Sequence, residues 1–302
     1  MTYLEEFNTL QESIVQGLSK PSTLKSIFGN VSDEFWCWAF TEGYDENPLL
    51  RQILPGLPSP QIQENYTGRS GHPALKDAFA AYTLFKQLAL QHGKAINQCK
   101  SILDFGCGWG RIIRFFLKDV DERDVFGVDC SSEMITLCGT QQLRGTFLAT
   151  AILPPTHFGD SQFDLIYLYS VFSHLSEDAH LAWLQEFHRL LKPGGLVIAT
   201  TRPRSFITLC AELARKPDLE VWQRGAAASF ADPEEALARY EAGQFVHSPT
   251  GGGGCLDRSF YGESCISEQY ARQQWTKYYS SVDYLRVEQH YAIDQNIIVA
   301  VK

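Results

Sequence analysis

Residues 101–111, SILDFGCGWGR, constrain the fold of this chain more than any other stretch. A short, mostly apolar run ends at Asp104, glycines follow at every second position (Gly106, Gly108 and Gly110), and the amphipathic run IIRFFLKDV comes next. This pattern predicts a buried strand, a tight turn and the start of a helix. Glycines allow positive φ angles and a close approach to a ligand, and the first N–H groups of a helix can donate to it. The turn therefore predicts a small-molecule cofactor site, with a purely structural turn as the alternative.

The spacing of the glycines separates two classes of cofactor site. In the dinucleotide-binding pattern G-x-G-x-x-G the third glycine comes three residues after the second, and Arg111 stands at that position here. The arrangement D-x-G-x-G-x-G instead resembles motif I of the class I S-adenosylmethionine-dependent methyltransferases. This resemblance implies that Asp104 faces the amino-acid portion of S-adenosylmethionine and that the glycine turn surrounds its methionine moiety.

A second acidic residue follows the glycine turn at an informative distance. The segment DVFGVDCSSEMI predicts a short strand that ends at Asp129, with Ser131 or Ser132 as the cap of the next helix. A carboxylate about twenty residues beyond such a turn can accept hydrogen bonds from ribose hydroxyls. An isolated strand-end aspartate would be a turn former or a cap, but Asp129 together with the glycine turn favours an adenosyl ligand.

Other residues are expected to line the same cofactor site. A third strand, GTFLATA, leads into a proline-containing loop, where the related enzymes often bind the adenine amino group with an aspartate. This chain has no aspartate there, so backbone groups or the Thr150 hydroxyl would make that contact. Tyr66 and Arg69 would fold back over the cofactor carboxylate, unless their segment is simply a cap packed on the core. The predicted cofactor-binding residues are Asp104, Gly106, Cys107, Gly108, Gly110, Arg111, Asp129, Cys130, Met134, Thr150, Ala151, Tyr66 and Arg69.

The segments after the third strand continue the alternation of strands and helices. FDLIYLYSVFSHL predicts a fourth strand, and WLQEFHRLLKPGGLVIATT a helix, a turn and a fifth strand. They look like motifs IV to VI of the same family, so the resemblance covers residues 101–202. Because open α/β sheets bind ligands at the carboxyl ends of their strands, His174 is the first candidate for a general base and Tyr169 the second. His157, His247 and Tyr261 are weaker candidates, and the alternative for His174 is a hydrogen bond to the next loop.

The fold that the resemblance implies is α/β, with a Rossmann-like doubly wound seven-stranded sheet and an antiparallel last strand. We predict an N-terminal helical cap and an extended connector over residues 1–72 and a methyltransferase domain over residues 73–302. An insertion over residues 203–266, between the fifth and sixth strands, departs from the alternation and contains the glycine run 251–254. We predict that this insertion is either a movable lid that binds substrate or a solvent-exposed loop.

Charge and composition bear on the remaining function classes. The chain has 302 residues, a net charge of −9 and no basic run, which argues against a nucleic-acid partner. It contains no apolar run as long as a membrane span, and its acidic amphipathic N-terminus does not resemble a secretory signal. The eight cysteines are scattered without a C-x-x-C pair, so we expect reduced thiols, no metal site and a cytoplasmic location.

Three functions are compatible with the sequence. The favoured one is an S-adenosylmethionine-dependent methyltransferase that acts on an oxygen or nitrogen of a small molecule or a glycan-type metabolite. The second is a nicotinamide-dependent oxidoreductase, disfavoured by the displaced third glycine. The Tyr-x-x-x-Lys signature of short-chain dehydrogenases occurs at Tyr82 and Lys86, but before the glycine turn rather than after it. The third is a non-catalytic cofactor-binding module, against which the intact Asp104 and Asp129 speak.

Overall fold

A parallel sheet carries the glycine turn. Its strands are β1 (Ile102–Phe105), β2 (Val125–Asp129) and β3 (Thr146–Ala149), in the order β3-β2-β1. Every residue of β1 is buried, as expected for a parallel strand covered on both faces. The computed structural model describes residues 3–20, 22–253 and 255–302. These strands belong to the first of its two compact units, Met1–Thr150.

Helices precede and connect these strands. They are α1 (Tyr3–Ser19), α2 (Leu24–Phe28), α3 (Asp33–Phe40), α4 (Glu42–Glu46), α5 (Pro48–Ile53), α6 (Pro60–Thr67), α7 (Gly71–Gln91), α8 (Ile113–Phe116) and α9 (Ser132–Thr140). The helices before β1 enclose an aromatic cluster in which Trp36 is fully buried. The Trp36 indole Nε1 donates to the carbonyl oxygen of Phe115 at 2.9 Å, so this cluster is attached directly to the helix that follows the glycine turn.

The proline-rich stretch over residues 47–73 is more helical than the sequence predicted. We expected an extended connector, but α5 and α6 form there. Pro48 and Pro60 each begin a helix, a position where the missing N–H of proline costs nothing. The side chains of Asn47 and Ser59 cap these two helices by accepting backbone N–H groups. These two prolines therefore start helices rather than prevent them.

The Tyr82 and Lys86 side chains of α7 lie in an ionic cluster. The Tyr82 hydroxyl donates to the carboxylate of Asp119, and Lys86 Nζ lies 3.0 Å from Asp33 Oδ1. Lys118 Nζ approaches the same Asp33 oxygen at 2.7 Å. The tyrosine and lysine thus connect α3 and α7 to the segment after α8, which gives this pair a structural role.

The second compact unit, Ala151–Lys302, contributes the remaining strands. They are β4 (Phe163–Leu168), β5 (Leu191–Thr201), β8 (Ser281–Leu285) and β9 (Asn296–Val301), in the order β4-β5-β9-β8, with a separate pair of β6 (Val246–Ser248) and β7 (Glu263–Cys265). β4 and β5 are parallel, whereas β9 runs antiparallel to both β5 and β8. The two units together supply the strands of a Rossmann-like α/β fold, and the predicted fold class with its antiparallel last strand is confirmed.

The helices of this unit lie between its strands. They are α10 (Glu177–Leu190), α11 (Arg204–Leu213), α12 (Val221–Ala227), α13 (Pro233–Glu241), α14 (Glu268–Trp275) and α15 (Val287–His290). No helix in the described ranges is long and apolar enough to cross a membrane. The predicted domain boundary at residue 72 falls inside the first compact unit, and the division into residues 1–72 and 73–302 stays a prediction.

The predicted insertion, residues 203–266, contains α11, α12, α13, β6 and β7. It has a small core of its own, formed by Ile207, Cys210, Phe230, Ala236, Val246 and Cys265. Within the glycine run, Gly251 N–H donates to Tyr261 O at 3.0 Å and Gly252 N–H to Leu256 O at 2.8 Å; Gly254 lies outside the described residues. These contacts offset the entropy cost of ordering consecutive glycines, and the lid stays a prediction.

Candidate cofactor and active site

The glycine turn after β1 is tied to the end of β2. The N–H groups of Gly106 and Cys107 both donate to Val128 O, at 2.8 and 3.0 Å. Gly108 N–H donates to Asp129 Oδ2 at 2.9 Å, and Ser131 N–H donates to Asp129 Oδ1 at 2.8 Å. A carboxylate offers about four acceptor positions, so Asp129 can fix the turn and still accept a further donor.

Burial and hydrogen bonding act in opposite directions on Asp129. The pKa of Asp129 is raised by burial, while the N–H groups of Ser131 and Gly108 and the thiol of Cys130 favour its ionised form. Asp104 is buried at the end of β1, beside Gly127 of β2. Both predicted acids therefore lie at the carboxyl ends of adjacent parallel strands, where α/β sheets bind ligands.

The glycines of the turn differ in what surrounds them. Gly106, Gly108 and Gly110 have φ angles of 75°, 52° and 76°, which residues with a Cβ rarely adopt. A Cβ added at Gly108 would face open space, whereas one added at Gly110 would overlap Leu143 Cδ2. Gly110 is buried, and its N–H donates to Cys107 O at 2.9 Å. Gly108 therefore borders a space that a ligand can enter, and Gly110 serves the packing of the turn.

Two cysteines support the turn from inside the protein. The thiols of Cys107 and Cys138 are buried and lie 3.6 and 3.4 Å from the carbonyl oxygen of Gly108. The pKa of Cys107 is raised by its hydrogen bond with Cys138 and by burial, so it is a packed thiol rather than a nucleophile. Met134 is also buried, and its N–H donates to Ser131 Oγ, which identifies Ser131 as the helix cap.

Arg114 is a supporting residue that the sequence reasoning missed. Its guanidinium is fully buried and donates to Gly110 O at 3.0 Å, to Gly56 O at 3.2 Å and to Gln141 Oε1 at 3.2 Å. Burial lowers its pKa to about 10. The available signal was its position four residues after Gly110, where a helical side chain reaches back to the preceding turn.

The other predicted cofactor residues lie in different surroundings. Arg111 Nη1 donates to Ala74 O of α7 at 3.3 Å. Thr150 N–H donates to Asp129 O at 2.9 Å, and Ala151 is exposed. On the N-terminal side, Tyr66 is 52% exposed. The Arg69 guanidinium pairs with Asp77 at 3.4 Å. The roles of these side chains toward a cofactor stay predictions.

His174 follows β4 and is held by the segment that leads into β7. Its Nδ1 lies 2.8 Å from Gly262 O, and because a carbonyl oxygen only accepts, Nδ1 carries the proton. Within the described part of the chain, its Nε2 has no hydrogen-bond partner. The ring stacks on Tyr261, with centroids 4.9 Å apart and planes 10° apart. The alternative considered from the sequence was a hydrogen bond to the next loop; the observed acceptor, Gly262, lies instead 88 residues later in the chain, and this bond leaves Nε2 as an acceptor.

The weaker candidates for a base differ in their surroundings. His247 Nδ1 lies 2.8 Å from Ser264 Oγ, which itself donates to Leu175 O at 2.7 Å. His247 Nε2 is buried and has no partner among the described residues. Tyr169 is half-buried directly after β4, and His157 is exposed. The structure thus connects His174 and His247 to the same strand segment and does not bring His157 there.

The second unit contains a cavity of about 880 Å³. Pro203 follows β5, Arg286 follows β8 and Asn296 begins β9, so this cavity lies at the carboxyl end of β5. Its charged lining residues are Arg204, Arg272, Arg286, Glu241, Glu268 and Glu288. Guanidinium and carboxylate groups form pairs within it, including Arg204 with Glu241 at 2.5 Å and Arg272 with Glu268 at 3.0 Å. Among the described residues, no group of three or more His, Cys, Asp or Glu side chains is arranged to hold a metal ion.

Comparison with known proteins identifies the domain that carries the glycine turn. A family model described as a methyltransferase domain matches residues 102–195. A Pseudomonas putida protein named "Probable fatty acid methyltransferase" is 29% identical over 112 residues, which cover 34% of this chain and 27% of that protein. An uncharacterized methyltransferase of Schizosaccharomyces pombe is 30% identical over 114 residues, covering 34% of this chain and 40% of that protein.

A third relative is the tRNA N(3)-methylcytidine methyltransferase of Drosophila melanogaster. It is 28% identical over 150 residues, which cover 46% of each protein. The chain thus spans less than half the length of these curated relatives. The matched domain contains β1 with its glycine turn, β2 with Asp129, and β4. Residues 102–195 thus match a methyltransferase domain, and together with the Rossmann-like sheet this match supports a class I methyltransferase with S-adenosylmethionine as its cofactor.

Proposed function

We propose that this protein transfers a methyl group from S-adenosylmethionine to an oxygen or nitrogen atom of a small polar metabolite. The proposal rests on the glycine turn, whose Gly108 N–H donates to the Asp129 carboxylate and which leaves open space beside Gly108. When bound, S-adenosylmethionine supplies an activated methyl group with a neutral leaving group. The residues of this chain then have to bind the cofactor, orient the acceptor and remove its proton.

The residues around the turn fit such a cofactor. Gly108 offers a cradle that a Cβ would fill, and Asp129 keeps acceptor capacity for a ribose hydroxyl. The buried Asp104 lies where a carboxylate can face an amino group. For the adenine we propose Thr150 and Ala151. For the rest of the cofactor we propose the neighbouring positions Gly106, Cys107, Arg111, Cys130, Met134, Tyr66 and Arg69, while Gly110 packs the turn.

His174 is the proposed general base. Its proton lies on Nδ1, so Nε2 offers the lone pair that a base needs. Burial lowers the pKa of His174, an effect that Glu263 opposes and Arg202 adds to. A histidine with a pKa below its usual 6.5 is neutral at pH 7, which is the form that accepts a proton. Tyr169, at the end of β4, is proposed to orient the acceptor.

The net charge supports a small acceptor, including a glycan-type one, over a nucleic acid. A net charge of −9 repels the phosphates of a tRNA. The cavity at the carboxyl end of β5 is lined by neither His174 nor Tyr169, so we do not assign it to the acceptor. A cytoplasmic location is proposed from the eight free cysteines.

Calorimetric titration tests the cofactor half of this proposal. We expect S-adenosylmethionine and its demethylated product to bind, and NAD not to bind, because the third glycine of the dinucleotide pattern is replaced by Arg111. Tight NAD binding without binding of the sulfonium cofactor would contradict the proposal. Transfer of labelled methyl to pooled metabolites, fatty acids and tRNA then identifies the acceptor class.

Replacing Asp129 with alanine is expected to weaken S-adenosylmethionine binding by about 1.5–3 kcal/mol, the usual value of a hydrogen bond to a charged group. The same titration measures it. Asp129 also accepts N–H groups from Gly108 and Ser131, so a thermal melt must accompany the titration. Asp121→Ala is the matched control, since Asp121 accepts the N–H of Arg123 away from the turn. If Asp129→Ala binds S-adenosylmethionine as tightly as the wild type, Asp129 does not bind the ribose.

A further inference from the structure

An ion pair lies against the ring of His174. Glu263 Oε1 is 3.6 Å from His174 Nδ1, and Glu263 Oε2 accepts a hydrogen bond from Arg202 Nε at 3.2 Å. The guanidinium of Arg202 is also fixed from its other side, because it lies 4.3 Å from the ring centroid of Phe206. The side chains of His174, Glu263 and Arg202 are 15%, 18% and 22% exposed, so water screens their charges only partly.

The backbone holds these side chains in register. Gly262 N–H donates to His174 O, and Ser264 N–H donates to Ser173 O, both at 2.7 Å. Gly262 therefore contacts His174 twice, since its carbonyl oxygen accepts from the imidazole Nδ1. Arg202, directly after β5, forms a parallel bridge with Cys265 of β7. The end of β5 and the segment after β4 are thus both bonded to the strand that carries Glu263.

The charges around the imidazole oppose one another. The Glu263 carboxylate favours a protonated ring, whereas the Arg202 guanidinium disfavours it, and burial disfavours it most. His247 is also close enough that burial and the charge of His174 both lower its pKa, and Tyr261 contributes the stacked ring. Because carboxylate and guanidinium are bonded to each other, removal of either one leaves the other as an uncompensated charge beside the ring.

We infer that Glu263 and Arg202 are positioning residues for the base: the carboxylate lies beside the Nδ1–H that Gly262 O accepts and favours that orientation of the imidazole, and the guanidinium balances the carboxylate so the ring stays neutral. This inference rests on the proposed function, in which His174 Nε2 accepts a proton from the methyl acceptor. It assigns a role in that reaction to two residues that the glycine turn and the strand pattern do not mark.

The test compares Glu263→Gln with Arg202→Gln by following the His174 ring resonances through a pH titration by NMR. His174→Gln identifies those resonances. In Glu263→Gln the unpaired guanidinium faces the ring, so the pKa of His174 should fall, by about one unit. In Arg202→Gln the unpaired carboxylate faces it, and the pKa should rise by a similar amount. The acid limb of the kcat profile should move in the same two directions.

Opposite shifts support the inference, and shifts in one direction or no shift overturn it. The double variant, Glu263→Gln with Arg202→Gln, should bring the midpoint back toward the wild-type value, whereas a merely structural pair would make it the most perturbed variant. If one of the single variants does not fold, the titration midpoint of the double variant still tests the inference. Lys192→Gln and Asp164→Asn are matched controls, because these residues form a half-buried ion pair at 2.8 Å between β4 and β5.

The NMR titration separates this inference from the proposed function. Normal methyl transfer by His174→Gln would contradict the assignment of His174 as the base. Opposite shifts of the His174 pKa in Glu263→Gln and Arg202→Gln would still show that the ion pair sets the charge of the ring. Conversely, an inactive His174→Gln variant would keep His174 as the base. Unshifted His174 titrations in the Glu263 and Arg202 variants would then contradict only their role as positioning residues.

Discussion

Substitution of His174 by glutamine is expected to lower kcat on the order of 10²–10⁴-fold, the usual contribution of a general base. Glutamine can still donate a hydrogen bond to Gly262 O, the acceptor of His174 Nδ1, so the segment should keep its conformation. It has no lone pair of comparable basicity to replace Nε2. Cofactor affinity should be unchanged, because His174 does not belong to the glycine turn.

The controls for this variant are the other histidines. His157 is exposed, and His157→Gln should leave kcat unchanged. His247→Gln removes an imidazole beside His174 and reports whether the second ring carries the reaction instead. A His174→Gln enzyme with wild-type kcat and KM would contradict the base assignment.

The pH profile of the wild-type enzyme gives a second view of the same residue. Burial lowers the pKa of His174 below 6.5, and activity needs the neutral ring. As the pH falls through that pKa the ring is protonated and kcat should decrease, while at pH 7 and above kcat should be on its plateau. A profile that still rises steeply above pH 7 would point to a different base.

The parts of the site that the sequence predicted are those with short-range signals. The turn at Gly106, Gly108 and Gly110 and the strand end at Asp129 follow from glycine conformation and strand length, which depend on neighbouring residues. Their connection, the hydrogen bond from Gly108 N–H to Asp129 Oδ2, follows from the pairing of adjacent parallel strands. Sequence spacing therefore predicted the turn and the strand end that the structure brings together, and their role toward a cofactor stays a prediction.

The parts that could not be predicted depend on distant packing. His174 meets Gly262 across 88 residues of chain, and Arg202 joins Glu263 across 61. No periodicity links these positions. The extended connector predicted from the prolines over residues 47–73 was wrong for a related reason. Proline is compatible with a helix start as well as with an extended chain. The helix caps at Asn47 and Ser59 decide between the two.

The two glycines of the turn with different surroundings provide a matched comparison. Gly108→Val should remove measurable S-adenosylmethionine binding and leave the protein folded, because its side chain would enter the open space proposed for the cofactor. Gly110→Val should instead lower the stability, because its Cβ would overlap Leu143 inside the protein. Both glycines have positive φ angles, 52° and 76°, so valine brings a similar backbone strain, about 1–2 kcal/mol, to each.

That shared strain is small beside a typical unfolding free energy of about 5–15 kcal/mol, so Gly108→Val should still melt cooperatively. Overpacking at Gly110 adds about 1–3 kcal/mol more, which Leu143 and its neighbours must absorb. Circular dichroism melts and calorimetric titration of both variants separate the two effects. Wild-type affinity in a folded Gly108→Val protein would mean that the cofactor does not occupy the space above this turn, and the binding site would have to be sought elsewhere.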